Sequence, residues 1–242
     1  MRIVGKTDIG MVRDTNQDAF KIVALGTGAG LALVCDGMGG ARGGDTASSI
    51  AKTVITDTIR EKYQEIMGAD AAKTLIREAI LEANHAIHQT AKEKPEFSGM
   101  GTTVVAALLH QNHAYVAHVG DSRLYMFHEG ELSQLTRDHS FVQEMVDRGE
   151  LSESEARVHP GKNIITRAVG VHWDVEIDVH TVELNPGDRL LLCTDGLSNL
   201  CTDEEIARVL QDLTIEEAAE TLIRMANQGG GHDNITVVIV ES

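Results

Sequence analysis

Apolar and polar positions along the chain form two kinds of pattern. Residues 45–67 and 70–92 repeat their apolar positions every three or four residues, which indicates amphipathic helices. Thr202 and Thr214 each begin a Thr-x-x-Glu capping box and predict two short C-terminal helices. Short runs rich in Val, Ile, Leu and Ala are typical of strands, and they occupy residues 19–24, 30–35, 102–109, 113–119, 123–128, 175–182, 189–193 and 235–240.

The order of these elements indicates the fold class. Strands follow one another through the middle of the chain, and the long helices are paired between strands. Gln111-Asn112 and Glu129-Gly130 are two-residue connections of the kind that close hairpins, so the central strands are expected to form an antiparallel meander. This order argues against alternating parallel βαβ units and predicts an α+β fold, with antiparallel sheets covered by helices. No Pro-, Ser- or Gly-rich linker interrupts the sequence, so residues 1–242 are expected to form one domain.

Composition narrows the classes of partner. The formal net charge is -16, and aromatic residues make up only 3%, which excludes a basic, aromatic-rich nucleic-acid surface and favours cations, including metal ions. The three cysteines, Cys35, Cys193 and Cys201, show no C-x-x-C spacing, so neither a disulfide framework nor a zinc site is indicated. The chain lacks the apolar stretches of a signal peptide or a membrane span. We therefore expect a soluble cytoplasmic monomer with no nucleic-acid or membrane partner.

Aspartates recur where the predicted strands end or begin. Residues 31–39 and 190–198 share one pattern, an apolar strand that ends in Asp-Gly. The glycine lets the backbone turn sharply and exposes a carbonyl that a metal can reach. A single Asp-Gly is usually only a turn, but five aspartates at strand ends suggest a shared site. They are Asp36, Asp195, Asp121, Asp18 and Asp233.

Carboxylates gathered at one rim of a sheet predict a divalent metal site. Like charges at close range raise one another's pKa unless cations neutralise them. Oxygen ligands suit Mg²⁺ or Mn²⁺, whereas zinc prefers His and Cys. Two such ions, about 3.5–4 Å apart, would generate a nucleophilic hydroxide and stabilise phosphoryl transfer, so phosphate-ester hydrolysis is the candidate reaction. Arg13 offers a planar fork for a phosphate dianion, with a surface ion pair as the alternative.

At these residues the chain resembles the type 2C metal-dependent Ser/Thr protein phosphatases, in their compact bacterial form. The resemblance covers almost the whole chain, and its motifs occur in family order. They are Thr7-Asp-Ile-Gly10, Arg13-x-x-Asn16-Gln17-Asp18, Asp36-Gly-Met-Gly-Gly40, Gly99-Met-Gly-Thr-Thr103, His118-Val-Gly-Asp-Ser-Arg123, Thr136-Arg-Asp-His-Ser140, Asp195-Gly-Leu197 and Gly230-Gly-His-Asp-Asn234.

The resemblance implies a fold, a reaction and a set of cofactors. The fold would be a four-layer α-β-β-α sandwich of two antiparallel sheets flanked by helices, with the metal cluster in a cleft at one end. The reaction would be hydrolysis of phosphoserine and phosphothreonine in phosphorylated protein substrates, opposing a bacterial Ser/Thr kinase on that kinase's targets. Two Mn²⁺ or Mg²⁺ ions would be bound per active site, with an accessory third ion beside them.

The resemblance also implies a role for each motif residue. Asp36 would bridge the two metals, and the Gly37 carbonyl would complete the first. Asp195 and Asp233 would hold the second metal, and Asp18 would act directly or through water. Asp121 would help to hold the third ion, and Arg13 would grip the substrate phosphate. Asn234 would position other residues without binding metal.

One residue departs from the family pattern. Many bacterial relatives carry histidine after Asp-Gly-Met-Gly-Gly, but this chain has Ala41, whose methyl group cannot protonate the leaving alkoxide. The hypothesis is that a metal-bound water supplies the proton, with another of the eleven histidines as the alternative.

Three matters stay open at this point. Residues 139–170 correspond to the family's flap beside the active site, which would select substrates, but their composition fits a plain surface insertion equally well. A partner-switching phosphatase of the same fold would act on one small phosphorylated regulator, usually with an attached sensor domain, and none is expected here. A catalytically dead binding module would be expected to lack some metal aspartates, and all five are present.

Overall fold

A computed structural model gives the fold, and it describes every residue except for the side chains at positions 41 and 42. The departure at Ala41 therefore lies outside the described residues. The strands are Arg2–Asp8 (β1), Asp18–Gly26 (β2), Ala29–Met38 (β3), Gly101–Thr102 (β4), Val104–His110 (β5), His113–Val119 (β6), Arg123–His128 (β7), Glu131–Gln134 (β8), Asp178–Glu183 (β9), Arg189–Cys193 (β10) and Ile235–Glu241 (β11). The helices are Gly40–Lys62 (α1), Ala69–Glu93 (α2), Phe141–Asp147 (α3), Glu153–Val158 (α4), Asp195–Ser198 (α5), Asp203–Asp212 (α6) and Ile215–Gln228 (α7).

The strands form two antiparallel sheets that pack face to face. One sheet has the order β1-β11-β10-β7-β8, and the other has the order β2-β3-β5-β6-β9, with β4 paired to the end of β3. Helices α1 and α2 cover the second sheet, while α6 and α7 cover the first. The predicted four-layer α-β-β-α sandwich is therefore confirmed. Among the described helices, none combines the length and apolarity needed to cross a membrane.

Three apolar layers hold the sandwich together. One lies between the two sheets, and each of the others lies between a sheet and its helices. In β10, Leu190 and Leu192 face the layer between the sheets, while Leu191 and Cys193 face the helices. Because both faces of such a strand are buried, a one-residue slip would exchange its two sets of side chains. The packing therefore fixes the register and brings defined strand ends to one edge of the molecule.

The expected central meander is wrong at one connection. Strands β5 and β6 form the predicted hairpin, but β6 pairs next with β9, and β7 belongs to the other sheet. The chain crosses between the sheets at residues 120–122. Gly120 has a φ of 112°, and a Cβ atom there would lie 2.6 Å from the side chain of Thr103. This tight passage carries Asp121 into the gap between the sheets at the end of the sandwich.

Several elements differ from the sequence prediction. Strands β1 and β8 were not predicted, because their charged and half-exposed residues do not form an apolar run. Helix α3 was also missed, and α1 begins at Gly40, before the predicted residue 45. The capping boxes at Thr202 and Thr214 are confirmed, and a third, at Ser152, opens α4. The helix starts predicted from capping boxes are thus confirmed, and the elements that the sequence did not predict lie in segments without strong apolar periodicity.

Candidate active site

The strand ends gather around a cleft of about 600 Å³ at one edge of the sandwich. Its lining includes four of the five predicted aspartates, together with Gly37, Arg13 and Asn234; the four are Asp36, Asp121, Asp195 and Asp233. Asp18 lies behind this lining, close enough for its charge to act on Asp36. An adjoining cavity of about 290 Å³ shares Asp121 and Asp195 with the cleft and extends towards α3 and α4.

Asp36 is fixed by the paired backbone at the end of β3. Its N–H donates to the Thr103 hydroxyl at 2.9 Å, and its carbonyl accepts from the Thr103 N–H at 2.8 Å. The Thr103 hydroxyl in turn bonds to the Ser122 hydroxyl at 2.7 Å, which ties β3 to the crossing between the sheets. Gly37 continues the strand, and a Cβ atom there would collide with the carbonyl oxygen of Gly44. The start of α1 can therefore lie directly against the strand end.

Asp195 reaches the same cleft by a different backbone path. It follows β10 and opens the one-turn helix α5. Its Oδ2 atom accepts a hydrogen bond from the Asn199 side chain at 2.9 Å, while its Oδ1 atom is buried without a hydrogen-bond partner. A Cβ atom on Gly196 would collide with the carbonyl oxygen of Asn234, so this glycine permits close contact with the start of β11.

Asp18 is held from one side by two threonines that sequence reasoning missed. Its Oδ2 atom accepts from the Thr194 hydroxyl at 2.9 Å and from the Thr236 hydroxyl at 2.7 Å. Its Oδ1 atom is buried without a partner. Thr194 could have been suspected because it directly precedes Asp195. Thr236 gave no signal, because it lies 218 residues from Asp18 and meets it only through sheet packing.

Asn234 clamps the loop that carries Arg13. Its side-chain amide donates to the carbonyls of Ile9 at 2.9 Å and Thr15 at 3.0 Å, and its Oδ1 atom accepts from the Gln17 N–H at 2.8 Å. The loop is thereby tied at three points to the start of β11. These hydrogen bonds agree with the positioning role that the sequence suggested for Asn234.

Arg13 itself points at the carboxylate cluster. Its guanidinium forms a 2.7 Å ion pair with Asp233, and both side chains stay partly open to solvent. An arginine held at the mouth of an acidic cleft can present its free N–H groups to an incoming phosphate. Arg13 can therefore form the ion pair with Asp233 and still bind a phosphate, so the two interpretations of this residue do not exclude each other.

Burial and mutual repulsion raise the pKa values of the clustered carboxyls. Burial raises the pKa of Asp36 well above its usual range, with the charges of Asp18 and Asp195 adding to the effect. Burial and the neighbouring Asp233 raise the pKa of Asp195 to about 6. The pKa of Asp18 rises to about 7 because of burial, although the hydrogen bonds from its two threonines oppose the rise. Burial, then the charge of Asp195, likewise raises the pKa of Asp121. The cluster is thus costly to ionise unless a cation offsets its charge.

The donor set fits a hard divalent cation. Among the residues that the structure describes, no three His, Cys, Asp or Glu side chains converge closely enough to hold a metal ion as they stand. Two of the carboxylates are instead engaged by cationic or amide donors, Asp233 by Arg13 and Asp195 by Asn199. The buried, unpartnered Oδ1 atoms of Asp18 and Asp195 nevertheless supply oxygen donors of the kind that Mg²⁺ and Mn²⁺ prefer. The residues present therefore suit such an ion.

Comparison with known proteins agrees with this geometry. The family model for protein phosphatase 2C matches residues 12–230. The Ser/Thr phosphatase Stp of Listeria monocytogenes is 40% identical over 237 residues, which cover 98% of this chain and 94% of that protein. The Ser/Thr phosphatase PstP of Mycobacterium tuberculosis is 39% identical and longer, since the match covers all of this chain but 45% of PstP.

Solved structures share the fold as well as the sequence. The crystal structure of the Ser/Thr phosphatase Stp1 from Staphylococcus aureus matches with a TM-score of 0.94 and 34% identity, over 99% of this chain and 94% of that one. The catalytic domain of PstP, in complex with two manganese ions, matches with a TM-score of 0.88 and 36% identity, over 99% and 97% of the two chains. The chain therefore belongs to the protein phosphatase 2C family and is a Ser/Thr protein phosphatase of that type.

Proposed function

We propose that the chain hydrolyses phosphoserine and phosphothreonine in proteins by a two-metal mechanism, and that it opposes a bacterial Ser/Thr kinase on that kinase's targets. The observation that carries the proposal is the cluster of buried carboxylates with raised pKa values beside the cationic Arg13. We further propose that it acts as a monomer in the cytoplasm. A reducing compartment suits its cysteines, all of which are free and buried.

Each carboxylate has a proposed place in the metal site. Asp36 would bridge the two ions, the Gly37 carbonyl would complete the first, and Asp195 and Asp233 would hold the second. Asp18 would act through its free Oδ1 atom, since its Oδ2 atom is taken by Thr194 and Thr236. Asp121 would serve an accessory third ion. When bound, Mn²⁺ or Mg²⁺ would supply an activated water nucleophile and offset the charge of the phosphate.

The remaining residues bind and orient the substrate. Arg13 would hold the phosphate oxygens through its guanidinium fork, at the mouth of the cleft where it now meets Asp233. Asn234 would keep that arginine in place through its three hydrogen bonds to the loop. Because the flap (residues 139–170) contributes Asn163 and Ile165 to the lining, it would border the bound protein substrate. We retain the flap as a subdomain of one phosphatase domain spanning residues 1–242.

The test is hydrolysis of p-nitrophenyl phosphate and of a phosphothreonine peptide with Mn²⁺, Mg²⁺ or EDTA. Activity should require a divalent ion, and Asp36→Asn or Asp195→Asn should each lower kcat/KM by more than roughly 100-fold, since even indirect metal-site changes cost 10–100-fold. Asp70→Asn is the matched control, because the Asp70 side chain is fully exposed at the start of α2. Activity that survives EDTA or both substitutions would contradict the two-metal assignment. Hydrolysis of one small phosphoprotein regulator, with no peptide activity, would instead favour a partner-switching phosphatase.

A further inference from the structure

Exposed apolar side chains in the described part of the chain are concentrated next to the active-site cleft. Single exposed apolar residues are ordinary, but groups of them mark interaction sites. Two groups occur here, which we name the loop patch and the flap patch. The loop patch consists of Ile9, Met11 and Val12, which are 39%, 70% and 62% exposed, and the flap patch consists of Phe141 and Ile164, which are 40% and 56% exposed. The other large apolar residues that are exposed are Met1, Ile66, Val158 and Trp173.

The loop patch is held rigidly although its side chains face solvent. The Met11 N–H donates to the Gly231 carbonyl at 2.8 Å, and the Ile9 carbonyl accepts from Asn234 at 2.9 Å. The Met11 side chain lies against Gly231, where a Cβ atom would be 2.7 Å from Met11 Cγ. Val12 lines the cleft itself and directly precedes Arg13. The patch is therefore a fixed apolar surface beside the residue that would bind phosphate.

The flap patch comes from a second chain segment that borders the cleft, the flap. Phe141 and Ile164 converge on Gly161, where a Cβ atom would lie 3.3 Å from the Phe141 ring and 3.4 Å from Ile164 Cδ1. The Phe141 N–H also donates to the Ile164 carbonyl at 2.8 Å. The next residue, Ile165, lines the cleft. This second apolar surface thus directly adjoins, along the chain, a residue of the cleft lining.

The overall charge of the chain favours neutral over acidic residues on these surfaces. Among the described residues that line the cleft, Arg13 is the one cation, against five aspartates: Asp14, Asp36, Asp121, Asp195 and Asp233. The whole chain carries a formal charge of -16. The divalent ions of the proposed function would offset the cleft aspartates, so the distinguishing feature of the two patches is their apolar surface, against which apolar side chains would gain from burial.

On the basis of the proposed function, we infer that the two patches bind bulky apolar side chains flanking the phosphorylated residue in an extended substrate segment. An extended chain advances about 3.3 Å per residue. Because Val12 is the immediate neighbour of Arg13, the loop patch contacts positions within two or three residues of the phosphate. The flap patch takes side chains from the other flank of the same segment.

The test compares matched phosphothreonine peptides whose flanking positions are Leu, Ser or Asp. The variants are Met11→Ser and Ile164→Ser, singly and together. Ile66→Ser is the control, because Ile66 is 92% exposed, lies between α1 and α2 and is not among the residues that line the cleft. For each protein, the kcat/KM for every peptide is divided by the kcat/KM of that same protein for p-nitrophenyl phosphate, which has no flanking residues.

For the wild-type chain, the Leu peptide should exceed the Asp peptide in normalised kcat/KM on the order of tenfold, the discrimination that apolar contacts provide. The double variant should lose most of this preference, and Ile66→Ser should keep it. Equal rates on the three peptides with normal p-nitrophenyl phosphate turnover would overturn this inference alone. A concentration-dependent dimer that Met11→Ser dissociates would also overturn it, since a second copy would then cover the patch. Absence of hydrolysis of every substrate with Mn²⁺ would overturn the proposed function itself.

Discussion

The ends of β3 and β10 share one pattern, an apolar strand followed by Asp-Gly, but continue along different paths. After Asp36 the chain stays extended to Met38, because Gly37 pairs with Thr102 of β4. At Asp195 it enters α5, and no strand pairs with the residues that directly follow Asp195 in the described structure. Both aspartates nevertheless line one cleft. The local pattern thus sets where a strand ends, and neighbouring segments decide where the chain goes next.

The two ends share one packing requirement despite their different paths. Each glycine after the aspartate lies against a backbone carbonyl, Gly37 against Gly44 and Gly196 against Asn234. In both cases the absence of a side chain allows a second segment to pack directly on the strand end. At Gly37 that segment is the start of α1, and at Gly196 it is the start of β11. The first property to test is therefore the close approach of a backbone segment to Gly37 and to Gly196.

The largest effect is expected from Gly37→Ala and Gly196→Ala. Each added methyl group must displace a backbone segment, so each variant should lose about 3 kcal/mol of unfolding free energy, the upper range for overpacking. For a chain of this size the loss corresponds to roughly 6–12 °C in Tm. Thermal unfolding without metal measures it, with Gly68→Ala as the control, because a Cβ atom there meets nothing within 4 Å. If only one variant is destabilised, the two strand ends do not share a packing requirement.

A smaller effect is expected from pH. Burial raises the pKa of Asp195 to about 6 and that of Asp18 to about 7, so the folded state binds protons more tightly than the unfolded chain does. The stabilisation from these groups is present at low pH and is lost as the pH rises through roughly 4 to 7. The Tm of the metal-free protein should therefore fall by about 5 °C over this range relative to Asp195→Asn.

Added Mn²⁺ provides a second readout of the same carboxyls. Because the ion competes with their protons, it should raise Tm more at pH 8 than at pH 5. Differential scanning calorimetry with and without Mn²⁺ at several pH values measures both trends. A Tm that is the same for wild type and Asp195→Asn at every pH would contradict the raised pKa of Asp195.

The smallest effect is expected from Thr103→Val and Thr194→Val, which remove one hydroxyl at each strand end. Thr103 accepts the Asp36 N–H, while Thr194 accepts the Thr236 N–H and donates to Asp18. Each change should cost about 1 kcal/mol or slightly more, because a buried N–H loses its partner. Urea unfolding measures this cost, with Thr53→Val, on the exposed face of α1, as the control.

The same two variants distinguish a hydroxyl that only supports the backbone from one that also lowers the pKa of a carboxyl group. Of the two hydroxyls removed, only that of Thr194 donates to Asp18, where its hydrogen bond lowers the pKa. Thr194→Val should therefore weaken Mn²⁺ binding more at pH 6.5 than at pH 8, and Thr103→Val should show no such pH dependence. Isothermal titration calorimetry at the two pH values distinguishes the variants. Equal pH dependence in both would show that the hydroxyl of Thr194 does not tune Asp18.

Local signals in the sequence predicted much of the fold and of the site. The predicted strand at residues 189–193 coincides with β10, and the capping boxes at Thr202 and Thr214 open α6 and α7. Four aspartates of the proposed site line one cleft, as the strand-end pattern suggested. These features depend on residues within a few positions of one another, so a single sequence carries them.

Other features depended on contacts that are distant in sequence. The placement of β7 in the opposite sheet from β6, and the two threonines that hold Asp18, could not be read from any local pattern. Strand β1 forms because its residues pair with β11, from Arg2 opposite Glu241 to Asp8 opposite Ile235. The sequence alone determined most of the strands and helices and which aspartates stand at strand ends. Only the tertiary structure decided how the two sheets are assembled and which distant side chains meet those aspartates, because these contacts join residues that lie far apart in the sequence.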